Sequence, residues 1–199
     1  SIVYYIFEKI KFLKRIAIFG SGSGSNAENI CSFFSNSPDI RVVLILSNNK
    51  NAYIITRAKK KNLPTIVFSK NELNDFTFLH KSLLAKKIDF IILAGFLLKI
   101  PKKMIEFYPN KIINIHPSLL PKYGGKGMYG ENVHRAVLKN NEKESGITIH
   151  IVNENYDDGE ILMQKKCSVS INETIKSLSK KISSLEHRYF PLAIKKHIL

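Results

Sequence analysis

Tryptophan is absent from these 199 residues, and cysteine occurs only twice. Cys31 and Cys167 make neither a disulfide framework nor a metal-ligand spacing, so no metal is expected and a reducing cytoplasm is the natural setting. No apolar run approaches the roughly 18 residues that a membrane span needs. Acidic residues are scarce: 16 Asp and Glu stand against 31 Lys and Arg, a net charge of +15. None falls between Ile40 and Asn71. The excess is mostly lysine spread along the chain, so it marks no single nucleic-acid arm; such a field also draws in a small anionic substrate. Residues 1–14 are apolar and basic, but Glu8 interrupts them and no small-residue cleavage site follows. They read as an N-terminal extension rather than a signal peptide.

What is present is a regular alternation. The runs RIAIF (15–19), IRVVLILS (40–47), TIVFS (65–69), IDFIILAG (88–95) and KIINIH (111–116) are short, apolar and β-branched. Helical spacing separates them: a pattern to Phe34, then 51–62, then a single helix over 72–87, then 101–108. Apolar strands alternating with helices predict a doubly wound α/β fold, a mostly parallel sheet with helices on both faces. After residue 116 the rhythm changes. A glycine-rich loop (121–132) leads to a short helix, then GITIHIVN (146–153) and GEILMQKKCSVS (159–170) read as two strands. A long amphipathic helix from Glu173 to about Lys196 is expected to be interrupted near Pro191. Without a repeat or linker, 1–199 is expected to be one domain.

Two stretches carry chemistry. GSGSGSN (20–26) joins the first strand to the first helix, where glycines allow close backbone approach and a helix N-terminus offers N–H groups to an anion. Ser25 and Asn26 are the expected caps. Gly22-x-Gly24-x-x-Ala27 formally fits a dinucleotide loop, but the second strand ends LILSNNK without the acidic residue a ribose would need. A monophosphate is the better match. The second stretch is INIHPSLLPKY (113–123). Asn114 and His116 lie two apart, so both side chains leave one face at the carboxyl end of a strand, and Pro117 ends the pairing. An amide can hold an oxyanion and an imidazole can carry a proton near neutral pH. Taken alone, the pair reads more readily as a strand cap and a satisfied buried histidine than as a reaction centre.

SGSGSN (21–26), LAGFLLKIP (93–101), NIHPSLLPKYGG (114–125), ITIHIVNENYDDGEIL (147–162) and LEHRYFP (185–191), in this order and spacing, resemble the phosphoribosylglycinamide formyltransferase family. The resemblance implies formyl transfer from 10-formyltetrahydrofolate to the amine of glycinamide ribonucleotide in purine synthesis. It implies small-molecule substrates, with no nucleic acid, membrane or metal, and leaves monomer or homodimer open. Asn114, His116 and Asp157 fall on the family's catalytic positions, with Asp158 in place of Asp157 if the register slips by one. Gly24, Ser25 and Asn26 fall on its phosphate loop, and Glu186 on the glutamate that holds the ribonucleotide. Leu93, Phe96, Leu97, Leu98, Lys99 and Ile100, with Asn114 and the 153–158 loop, fall on its folate pocket. His134 and His150 match family histidines, for which packing or local polar contacts are the preferred role, and Thr148 is placed to orient Asn114 or His116. Asp157 is expected to favour the charged form of His116.

The chain departs from the family pattern at Leu98, where an Arg is frequent, and at Lys99, usually apolar. Lys70 is the nearest basic candidate for the folate glutamate tail. Alternatives are a formyltetrahydrofolate hydrolase, a methionyl-tRNA formyltransferase, or a basic nucleotide- or RNA-binding α/β module. The first two normally carry an extra domain for which the chain is expected to be too short.

Overall fold

The computed structural model describes residues 13–199, so the expected extension lies outside it except for Leu13 and Lys14. Seven strands form one sheet: β1 (Lys14–Phe19), β2 (Ile40–Ser47), β3 (Thr65–Val67), β4 (Phe90–Leu93), β5 (Ile112–His116), β6 (Glu144–Ile151) and β7 (Ile161–Ser168). Their order is β3-β2-β1-β4-β5-β6-β7. The first five run parallel, whereas β6 is antiparallel to both β5 and β7. The helices are α1 (Ser25–Phe33), α2 (Tyr53–Lys60), α3 (Lys70–Asp75), α4 (Thr77–Ala85), α5 (Lys102–Phe107), α6 (Glu131–Lys139) and α7 (Ile175–Ile198).

Strand periodicity divides the apolar residues between two cores. On β1, Ile16 and Ile18 pack with Ile30 of α1, Ile54 of α2, Val137 of α6 and Ile194 of α7. Ala17 and Phe19 point the other way, onto Leu73 of α3, Leu83 of α4 and Met104 of α5. Both faces of the parallel part of the sheet are therefore covered, which is why β1, β2, β4 and β5 are mostly apolar, whereas β7 at the edge is polar and half-exposed. Strand order reverses between β1 and β4. The crevice beyond their carboxyl ends is where an open α/β sheet binds ligands.

Two helical expectations need correction. The helix expected over 72–87 is two helices, because Phe76 takes a left-handed conformation (φ 64°) between α3 and α4. Its ring is buried in the second core, and Ser69 with Glu72 forms a capping box at the start of α3. The long C-terminal helix runs through Pro191 without a break. Proline lacks the N–H that would bond the carbonyl four residues back, which is that of His187. That oxygen instead accepts from Asn29 Nδ2 at 2.6 Å, so the gap in the α7 ladder pins α1 to it. Asn29→Ala is expected to destabilise the fold by about 1–3 kcal/mol, since the carbonyl is left without a partner. Urea unfolding would measure it, and an unchanged midpoint would mean that solvent replaces the amide.

Candidate active site

A cavity of about 720 Å³ opens at the strand-order reversal. The glycine-serine loop, the end of β4, β5, the 125–130 loop, α6 and α7 all contribute to its wall. Gly24, and not the expected Ser25 or Asn26, is the residue before α1, at φ 73° and with no side-chain cap. A Cβ on Gly24 would sit 2.6–2.7 Å from Ile54 of α2, so sterics and dihedral both demand glycine. Without a capping side chain, the first N–H groups of α1 remain available to an anion in the cavity. Ser21 fixes the loop: its Oγ donates to Asn48 Oδ1 at 2.6 Å and accepts from Leu97 N–H at 3.0 Å.

Asn114 and His116, at the end of β5, line the same cavity. Antiparallel pairing sets Asn114 across from His150 and His116 across from Thr148. His150 is buried, and its Nδ1 lies 2.9 Å from the Ile151 carbonyl. A carbonyl only accepts, so Nδ1 carries the proton and Nε2 accepts from Asn114 Nδ2 at 3.1 Å. This bond sets which end of the Asn114 amide is the donor. Thr148 works differently from the expectation: its hydroxyl donates to Ser118 O and accepts from Leu120 N–H and Gln164 Nε2. The hydroxyl fixes the turn after β5 and bonds neither Asn114 nor His116.

His116 is also buried. Its Nε2 donates to Tyr123 O at 2.7 Å, leaving Nδ1 3.4 Å from Asp157 Oδ2. Asp157 Oδ2 accepts Gly125 N–H at 2.9 Å, and its Oδ1 lies 3.7 Å from His150 Nε2. Asp158 instead accepts from Asn155, so Asp157 is the carboxylate facing the histidines. The turn that delivers it is tight, since a Cβ on Gly159 would fall 1.7 Å from Ile151 O.

The balance of charge differs from expectation. Burial pushes His116 below the ordinary histidine value, despite the Asp157 carboxylate and the Tyr123 carbonyl pulling it up. Burial alone would raise Asp157; the His150 ring, His116 and the Gly125 N–H together hold it below the usual carboxylate range. Near neutral pH the pair is therefore a neutral imidazole beside a carboxylate. Glu186, on α7, has its carboxyl raised by burial, only partly countered by Asn26 Nδ2, which donates to it at 2.8 Å. Asn26 Oδ1, on the same wall, is buried without a partner, an acceptor left for a donor-bearing ligand.

The residues expected around a folate divide. Phe96 and Leu97 line the cavity, as do Tyr156 and the unanticipated Ala94 and Gly95. Leu93 and Ile100 are instead buried in the second core, and Leu98 packs against it. Lys99 lies off the wall, its ammonium over the Tyr156 ring at 5.6 Å. Lys70 begins α3, also off the wall. His134 is buried on the wall with Nδ1 unpaired, and burial lowers its pKa. Missed altogether were Ser21, Tyr123 and Gly125, whose roles depend on contacts across more than two dozen residues or on a main-chain atom. Among the described residues no group of three His, Cys, Asp or Glu could hold a metal, and no helix is long and apolar enough to cross a membrane.

The formyl transferase family model matches residues 14–194. A chloroplastic phosphoribosylglycinamide formyltransferase of Arabidopsis thaliana is 40% identical over 89% of this chain and 63% of its own length. The phosphoribosylglycinamide formyltransferase of Haemophilus influenzae is 33% identical over 92% of this chain and 86% of its own. The crystal structure of the Anaplasma phagocytophilum enzyme of that name superposes with a TM-score of 0.84 at 33% identity, covering 92% of this chain and 86% of that one. The chain thus spans less than two thirds of the plant relative but most of the bacterial ones.

Proposed function

The chain belongs to the formyl transferase family, and from that premise we propose that it transfers a formyl group from 10-formyltetrahydrofolate to the amine of 5'-phosphoribosylglycinamide. Residues 1–199 act in this reading as one formyltransferase domain. The carrying observation is that Asn114, His116 and Asp157 line the same cavity as the uncapped α1 N-terminus and Glu186. An anion site and a proton carrier in one cavity suit a substrate that bears both a phosphate and an amine. Gly24, Ser25 and Asn26 hold the phosphate on main-chain N–H groups. Glu186 and the unpaired Asn26 oxygen take donors in the middle of the ribonucleotide. Phe96, Leu97 and Tyr156 give an apolar stretch suited to a flat heteroaromatic ring.

The amine attacks the formyl carbon, and its electron pair pushes the carbonyl electrons onto oxygen. Asn114, its amide oriented by His150, donates a hydrogen bond to that oxyanion. His116, neutral and held by its Nε2 proton on Tyr123 O, takes on Nδ1, the nitrogen facing Asp157, the proton that the amine loses and returns it to the departing folate nitrogen. Asp157 stabilises the transient imidazolium. Tetrahydrofolate and the formylated ribonucleotide leave. Small-molecule turnover of this kind calls on no nucleic acid or membrane, and a cytoplasmic location suits it.

The test mixes the protein with 10-formyltetrahydrofolate and each acceptor while following the deformylated folate. Release that depends on the ribonucleotide is expected. Release with no acceptor would mean hydrolysis, release with charged initiator tRNA would mean that the acceptor is tRNA, and none at all would point to a binding module.

A further inference from the structure

We propose that Glu142, outside the cavity, is a positioning residue that braces the proton-transfer pair through the 122–125 segment; the catalytic part of this inference rests on the formyl-transfer reading. Glu142 follows α6 and is partly exposed. Its Oε1 accepts from Tyr123 OH at 2.9 Å, and both carboxylate oxygens accept from Lys122 Nζ, at 2.9 and 3.3 Å. Behind Lys122, its carbonyl accepts from Ser118 Oγ at 2.6 Å. One carboxylate and one hydroxyl therefore hold the two residues that precede the glycines.

The same segment grips both members of the pair with main-chain atoms. Tyr123 O accepts the His116 Nε2 proton, and Gly125 N–H donates to Asp157 Oδ2. While Tyr123 O faces Nε2, that nitrogen carries the His116 proton and Nδ1 is left facing Asp157. Tyr123 is not relaxed there. Its φ is 57°, in the left-handed region that a tyrosine adopts only when its surroundings impose it. The next residue, Gly124, resists no rotation of its own, and Gly125 sits at φ 98°. The Tyr123 ring packs against the first core, and its hydroxyl and carbonyl bond Glu142 and His116, so Glu142 is the charged group that anchors the side chain of the residue whose carbonyl faces the His116 ring.

The titratable groups that face His116 are Asp157 from the 152–160 turn and His150 from β6. Lys122, Tyr123 and Glu142 stand behind the Tyr123 carbonyl. That carbonyl favours the charged ring, so releasing it shifts His116 further toward the neutral form. Glu142→Ala is expected to move the His116 midpoint to lower pH, read by nitrogen-15 NMR on the whole protein. It should also cut kcat about tenfold, as small misplacements of reacting groups do, with KM for the ribonucleotide nearly unchanged. Tyr123→Phe should reproduce the shift in midpoint. Glu142→Gln, which keeps an oxygen for the Tyr123 hydroxyl, should restore it. An unchanged midpoint in both Glu142→Ala and Tyr123→Phe overturns the brace, as does a loss of kcat without a shift in midpoint. The NMR midpoint needs no substrate, so it decides the brace even if wild-type protein turns over no ribonucleotide, which would sink the formyl-transfer reading instead.

Discussion

His116→Ala is expected to lower kcat by about 10²–10⁴-fold, the range that a positioned acid-base group contributes, while ribonucleotide binding persists. In the proposed reading, phosphate and ribose contacts come from α1 and Glu186, on other elements, so affinity and proton transfer should separate cleanly. The variant also removes a donor from Tyr123 O, which makes a thermal melt a necessary control. The pH profile of the wild type gives a second reading of the same residue. Its folded-state pKa is depressed, chiefly by burial, so the ring is neutral at pH 7 and charges only on acidification below the ordinary histidine value. Turnover should then hold steady through neutral pH and fall along an acid limb with a midpoint under 6.5. For stability the sign is the same. The unfolded chain binds this proton more readily than the folded one, so acidification through the unfolded value favours unfolding. A variant turning over at nearly the wild-type rate would remove His116 from the chemistry.

Asn114→Ala should cost about 10²–10³-fold in kcat if its amide holds the oxyanion, by analogy with other such donors. The isosteric Asn114→Asp is the sharper variant. A carboxylate fills the same space yet offers no donor, and it would face the lone pair of His150 Nε2 that now accepts from the amide. Loss in the Asp variant at least as large as in Ala identifies the donor as the working part; recovery in Asp would mean that only the volume matters. Steady-state kinetics with both substrates settles this, because a pure binding role would appear in KM and leave kcat alone.

The layered sheet was legible because both of its faces are buried: continuous apolar strands between amphipathic helices admit few other arrangements. Boundaries failed where a single residue overrode a pattern. Phe76 breaks a helical repeat because burying its ring fixes a left-handed backbone there, and Pro191 survives inside α7 because Asn29 takes over the orphaned carbonyl. In the site, Asn114 and His116 were visible as neighbours on one strand, but the tautomer of each imidazole depends on partners at Tyr123, Ile151 and Asp157. Those distances come from register and turn geometry, which spacing does not encode. The residues expected around a folate divide for a related reason. LAGFLLKIP is apolar but for Lys99, and only its departure from the strand after Leu93 decides that Phe96 and Leu97 meet the cavity while Leu98 and Ile100 turn into the second core.

The reversal of direction at β6 has a bearing on how such a chain can change over time. Because β6 is zipped against β5 by its own ladder, the pairings Asn114 with His150 and His116 with Thr148 do not depend on how the intervening 27 residues travel. Insertions and deletions between Lys126 and Gly130, in the glycine-rich arm, should be tolerated by the reaction centre even as they reshape the cavity mouth. A single-residue deletion inside β6 would be another matter. It would send His150 and Thr148 to the opposite face of the sheet and bring apolar neighbours to the cavity. Length is thus free to drift in the connection and frozen in the strand.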